Sequence, residues 1–146
     1  MRADQSFEDR LVELHARLAA VIAEHRPDQG AIESTFFGKD ADAAARLGQA
    51  RGVLLLAMRQ AGLDIAHYTP AQVKKAVAGN GQATKEQVQF MVSHLLGLSE
   101  LPRPLDASDA LAVAVCHTYR PQVRWAGRPE SRRPEVEALL RRMVRR

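Results

Sequence analysis

Residues 105–115, LDASDALAVAV, set two carboxylates three positions apart at the start of an apolar run. A helix turns about 100° per residue, so Asp106 and Asp109 project from nearly the same side of one turn and can share a cation. The same spacing also fits plain helix chemistry, with Asp106 as an N-cap and Asp109 as a first-turn acid favoured by the helix dipole. A third carboxylate, Glu33, follows the apolar Ala31 and Ile32 and so stands near the C-terminal end of a predicted strand, the edge at which α/β sheets gather their active sites. A charge emerging there must reach solvent or find a cation, because burying it alone is costly. Lys74, Lys75 and Lys85 flank the loop GNGQA. They suit phosphate as point charges, although lysines on the outer sides of short helices are commonly only solvated.

The elements that must position these groups can be read from periodicity and caps. Ser6 and Asp9 resemble a capping box, after which Phe7, Leu11, Leu14, Leu18, Val21 and Ile22 recur at helical spacing up to HRPD. QGAIEST, 29–35, reads as a short strand, and a second helix is predicted from about Asp40 to Ala61 with Gly62 as its stop. Within it Ala44, Gly48 and Gly52 form a small-residue stripe suited to close packing, most simply within the chain. LDIAHY, 63–68, is a second short strand, and Thr69 and Pro70 open a brief helix to about Ala78. Thr84 and Gln87 form another capping box, opening a helix with the apolar face Val88, Met91, Val92, Leu95 and Leu96 that Gly97 ends. A last core helix runs from Asp106 to about Tyr119, apolar almost all round behind its acids. Strands linked through helices imply an α/β layer, and two short strands make a meagre sheet, so the order of elements looks like the later part of a larger fold.

Composition narrows the class. With 146 residues, 46% hydrophobic and 26% charged, the chain suits one core domain, placed at 1–119, followed by a basic tail at 120–146. The net charge of +4 is concentrated in that tail, which holds nine Arg and three Glu. Such an arm suits phosphate backbones, and it is also a common solubilising end. Its last stretch, PEVEALLRRMVRR, reads as an amphipathic helix. The single Cys116 excludes an intrachain disulfide framework and suits a reducing cytoplasm. The longest aliphatic run, GVLLLAM at 52–58, is far too short for a bilayer, so no membrane association is expected. His67, His94 and His117 lack ligand spacing on any one helix and read as structural or surface residues.

Three blocks together carry a resemblance: AIESTFFGKDADAAARLGQARGV, YTPAQVKKAVAGNGQATKEQVQFMV and DASDALAVAVCH. Over about residues 7–119 the chain resembles the RuvC family of Holliday junction resolvases, crossover junction endodeoxyribonucleases with a ribonuclease H-like fold. The resemblance implies a mixed sheet flanked by helices. It also implies carboxylates that hold two Mg²⁺ per subunit, with Mn²⁺ as an alternative, to cut phosphodiester bonds of a four-way DNA junction in recombination and repair. Glu33, Asp106 and Asp109 match the family's acidic positions, Lys74 and Lys85 its phosphate-facing lysines, with Lys75 beside them. Phe36 matches the aromatic presented to the bases at the junction centre, and Lys39 is expected to add a phosphate contact. Of Phe36 and Phe37, one is expected exposed and one buried.

The resemblance further implies a homodimer making paired symmetric nicks, and the RuvA and RuvB branch-migration complex as partner. Family members begin with three strands, the first bearing an essential aspartate in a D-P-G-like turn. This sequence opens near the family's first helix, and Asp4 and Asp9 are no substitute. Either the true start lies upstream of Met1, or the fold is N-terminally truncated, in which case defective metal binding, little or no cleavage and poor stability are expected. The alternative function is a non-catalytic remnant that binds junctions without cutting them. A third reading, a relative that processes ribosomal RNA, is opposed by the VKK and GNGQATKEQV block.

Overall fold

The computed structural model describes residues 5–34 and 40–119. Along them run α1 (Phe7–His25), β1 (Gln29–Glu33), α2 (Ala41–Gln60), β2 (Asp64–Tyr68), α3 (Pro70–Ala78), α4 (Lys85–Leu95) and α5 (Leu105–Thr118). Most helix starts follow from local chemistry. Ser6 accepts from the Asp9 backbone N–H, and Asp40 accepts from that of Ala43. Thr69 with Gln72, and Thr84 with Gln87, make complete capping boxes, satisfying donors that a helix cannot pair internally.

Two helices stop in the same way. After α2, Gly62 at φ +79° donates to Arg59 O and Leu63 to Met58 O; after α4, Gly97 at φ +63° donates to His94 O and Leu98 to Ser93 O. This double bond pattern needs a left-handed residue, which glycine supplies without a Cβ penalty. β1 and β2 are hydrogen-bonded parallel neighbours joined through α2, and they form the two-stranded sheet of the described residues. No helix of the described residues is long and apolar enough to cross a membrane.

The described residues form two compact units. One comprises 5–30 and 40–65, the other 31–34 and 66–119. In the first, Ile22, Ala57, Met58 and Leu63 are buried, and His15 Nε2 lies 2.7 Å from Gln60 Oε1, tying α1 to α2. The small-residue stripe is used differently from its predicted role. Gly48 and Gly52 are exposed, and a Cβ built on either would meet nothing within 4 Å. Among the described residues, these two glycines pack against nothing, while Ala44 of the same stripe is half-buried.

The second unit carries the larger core, where Val73 and Val77 of α3, Val88 and Val92 of α4, and Ala112, Val115 and Cys116 of α5 meet Tyr68. α5 begins one residue earlier than predicted, at Leu105, with Pro104 at the cap position and no side-chain cap. Asp106 is therefore a first-turn acid and not the N-cap. The helix is buried along one side only, since Ala110 and Ala114 are exposed. Its rotation is set partly by buried Ser108, whose Oγ donates to Pro102 O at 3.2 Å, beside Gln89 Nε2 donating to the same oxygen at 2.8 Å.

At the other end of α5, His117 Nδ1 lies 2.7 Å from the hydroxyl of Tyr68, a side chain only 1% exposed. Tyr68→Phe keeps the ring and deletes that bond. The expected outcome is a loss of about 0.5–1.5 kcal/mol of stability, read from the urea midpoint at unchanged slope.

Candidate active site

Glu33 is the last residue of β1, and its orientation follows from how the strand ends. The next residue, Ser34, donates its backbone N–H to Tyr68 O at 2.6 Å, keeping the tip of β1 registered on β2. The Glu33 side chain is half-buried there. Its carboxyl is held above the ordinary glutamate value, first by burial, then by the negative charge of Asp109; Lys85 and Lys74 pull it partly back. These four residues come from β1, α5, α4 and α3 of one compact unit, and their charges act on a common region.

Lys85 is the most directly engaged of the lysines. It is the first residue of α4, fixed by the Thr84–Gln87 capping box, and its Nζ stands 3.4 Å from Asp109 Oδ2. Sequence reasoning assigned Lys85 to phosphate and missed this ion pair. The partners are 24 positions apart, and no local pattern reports such a contact. Lys74 is half-buried on α3, and Lys75 is exposed in its last turn. Asp106 is exposed in the first turn of α5.

Among the described residues no three His, Cys, Asp or Glu side chains are gathered closely enough to hold a metal. The structure thus brings Glu33 and Asp109 under mutual influence, without Asp106 completing a threefold cluster. Phe36, Phe37 and Lys39 lie outside the described residues, as does the tail from 120. Chemically, Glu33 and Asp109 offer oxygen donors only, and the charge of Asp109 places on Glu33 a penalty that a divalent cation would relieve. This donor chemistry fits Mg²⁺, a hard cation that is bound through one or two carboxylates and keeps several waters.

The family model for crossover junction endodeoxyribonuclease RuvC matches residues 1–117. The chain belongs to the RuvC family. Among relatives, the RuvC of Chloroflexus aurantiacus is 53% identical over 111 residues, which is 76% of this chain and 68% of that protein. The RuvC of Halothermothrix orenii is 51% identical over 119 residues, 80% of this chain and 72% of its own length. A solved structure of Thermus thermophilus RuvC superposes with a TM-score of 0.73 at 40% identity, covering 81% of this chain and 71% of the other. The same RuvC in complex with Holliday junction substrate gives 0.76 at 39% identity, covering 82% and 72%. The α/β, ribonuclease H-like expectation therefore holds, and the family is one of junction-resolving nucleases.

Proposed function

We propose that the chain is a subunit of a homodimeric, divalent-metal-dependent resolvase that makes paired symmetric nicks across a four-way DNA junction. The observation that carries this reading is the Glu33–Asp109 pair, in which Asp109 raises the cost of charge on Glu33 beside Lys85 and Lys74, in a chain of the RuvC family. Glu33, Asp106 and Asp109 would hold Mg²⁺, two ions per subunit, or Mn²⁺ in its place. Held there, the ions would supply Lewis-acid chemistry, lowering the pKa of a water and offsetting charge on the departing oxygen. The protein's own contribution is positioning. The registered end of β1 aims Glu33, the packed side of α5 aims Asp109, and Lys74, Lys75 and Lys85 hold phosphate. Phe36 would stack on a base at the junction centre, and Lys39 would add a phosphate contact. RuvA and RuvB are the proposed partners, and the cytoplasm the proposed compartment. A basic tail at 120–146, outside the domain at 1–119, would add non-specific affinity for DNA.

The exposed face of α2 supports the dimer. Gly48, Gly52 and Leu56 follow one another at helical spacing, and Leu56 and Leu47 are each 53% exposed. Small residues between apolar ones let two helices approach closely, and a two-fold pair of sites matches two equivalent strands of the junction. Gly52→Arg, at an exposed helical position where nothing crowds a Cβ, leaves the fold intact; the expected result is a monomer by light scattering at concentrations where the unsubstituted chain is a dimer.

The direct test incubates the full chain with a synthetic four-way junction and Mg²⁺. Symmetric nicks of one polarity support the proposal. Binding without nicks selects the junction-holding alternative, and failure to prefer the junction over linear duplex overturns both.

A further inference from the structure

Lys85 has two calls on a single charge. The proposed function gives it a DNA phosphate, yet its Nζ stands 3.4 Å from Oδ2 of Asp109, itself a proposed ion ligand. One ammonium has three donors, but a phosphate and a bound carboxylate on opposite sides dilute its charge between them. We propose that Lys85 is the built-in counter-cation of the carboxylate site: it holds Asp109 while no divalent ion is bound, and an arriving ion displaces it toward the DNA backbone. This rests on the reading that Glu33 and Asp109 take a divalent ion.

Three features suit the exchange. The pair is exposed, with side-chain accessibilities of 61% for Lys85 and 40% for Asp109, so it is weak enough to be displaced. The residue is a lysine, a compact charge on a flexible stem, where an arginine fork would grip the carboxylate with two bonds. Finally, the backbone of Lys85 is fixed by the Thr84–Gln87 capping box, so the side chain swings from a rigid base. Lys74 and Lys85 both act on Glu33 as well, so the ammonium groups together partly offset the negative charge that Asp109 sets against it. The consequence is reciprocal coupling: metal loading raises the affinity for phosphate, and phosphate binding raises the affinity for metal, by the same factor.

Two measurements on the full chain test this. In the first, Mn²⁺ is titrated into DNA-free protein and free ion is followed by electron paramagnetic resonance. Lys85→Met removes the competitor, and the expected result is Mn²⁺ binding roughly two- to five-fold tighter, the range of an exposed ion pair. Lys75→Met, which removes an equal charge outside the pair, changes it by less; Lys85→Gln repeats the test with a polar side chain. In the second, junction affinity is measured in chelator for Asp109→Asn, Lys85→Met and the double variant. Asp109→Asn tightens binding where Lys85 is present to be released and does so less in the Lys85→Met background, giving a non-additivity of roughly two- to five-fold. Equal effects of Lys85→Met and Lys75→Met on Mn²⁺, or an additive cycle, overturn the proposal. Mn²⁺ binding that is lost in Asp109→Asn but indifferent to Lys85 overturns the counter-cation alone. If Mn²⁺ binding does not depend on Glu33 and Asp109 at all, the metal site itself falls, and the counter-cation with it.

Discussion

Asp109→Asn lowers the rate of junction nicking by at least about 100-fold while the junction stays bound, a split that only a residue acting on the reaction produces. The size follows from charge. Several kcal/mol of transition-state stabilisation by a divalent ion depend on anionic oxygen ligands, and about 1.4 kcal/mol is a factor of ten in rate. An amide keeps the shape and one oxygen but loses the charge that attracts the ion. Binding survives because Asp109 repels phosphate, and its loss leaves Lys85 without that partner. Glu33→Gln gives the same split from β1, whereas Lys74→Ala weakens binding and cutting together, since it removes a phosphate contact. The measurement is single-turnover nicking beside gel-shift affinity on one synthetic junction. Nicking that persists in Asp109→Asn removes this residue from the site.

The position of Asp109 also shows how far a sequence reaches. Helix starts that depend on neighbours three residues away were legible: Thr69 with Pro70, and Thr84 with Gln87, open α3 and α4 where their caps indicate. α5 was misread by one residue because its start has no side-chain cap. The rotation of that helix is instead set by Ser108 and Gln89 meeting the carbonyl of Pro102, contacts between segments that no local rule specifies. The stripe of Ala44, Gly48 and Gly52 announced a close approach without saying to what, and the described residues supply no packed neighbour for its glycines. The carboxylates as a set came from resemblance more than from spacing. Asp106 and Asp109 share a helix turn, yet it is Asp109 that acts on Glu33 and pairs with Lys85. Tyr68 and His117, 49 positions apart, are a further contact that burial created and periodicity could not announce.

A second large effect is expected in stability, where Glu33 makes the metal-free protein sensitive to pH. Its carboxyl is raised in the folded chain above the ordinary value of 4.5, by burial first and Asp109 second. At pH values below the ordinary value, both folded and unfolded chains are protonated and the group contributes nothing. As pH rises through the window between that value and the raised one, the unfolded chain ionises first, so it binds fewer protons than the folded chain and stability falls. Above the raised value the full penalty remains, and at neutral pH the charged Glu33 destabilises the fold. In chelator, Glu33→Gln is therefore expected to melt higher than the unsubstituted chain at pH 7 and to lack its decline over that window. Mg²⁺ should act in the opposite order. Binding only the folded state, it stabilises the unsubstituted chain by about 2.7 kcal/mol at a hundredfold excess over its dissociation constant, and leaves Glu33→Gln nearly unchanged. The two melting curves then cross as Mg²⁺ is added, because the charge that costs stability without the ion is the one that binds it. Parallel curves for the two proteins in chelator, with equal responses to Mg²⁺, would mean that the Glu33 carboxylate neither suffers the burial described nor faces the ion.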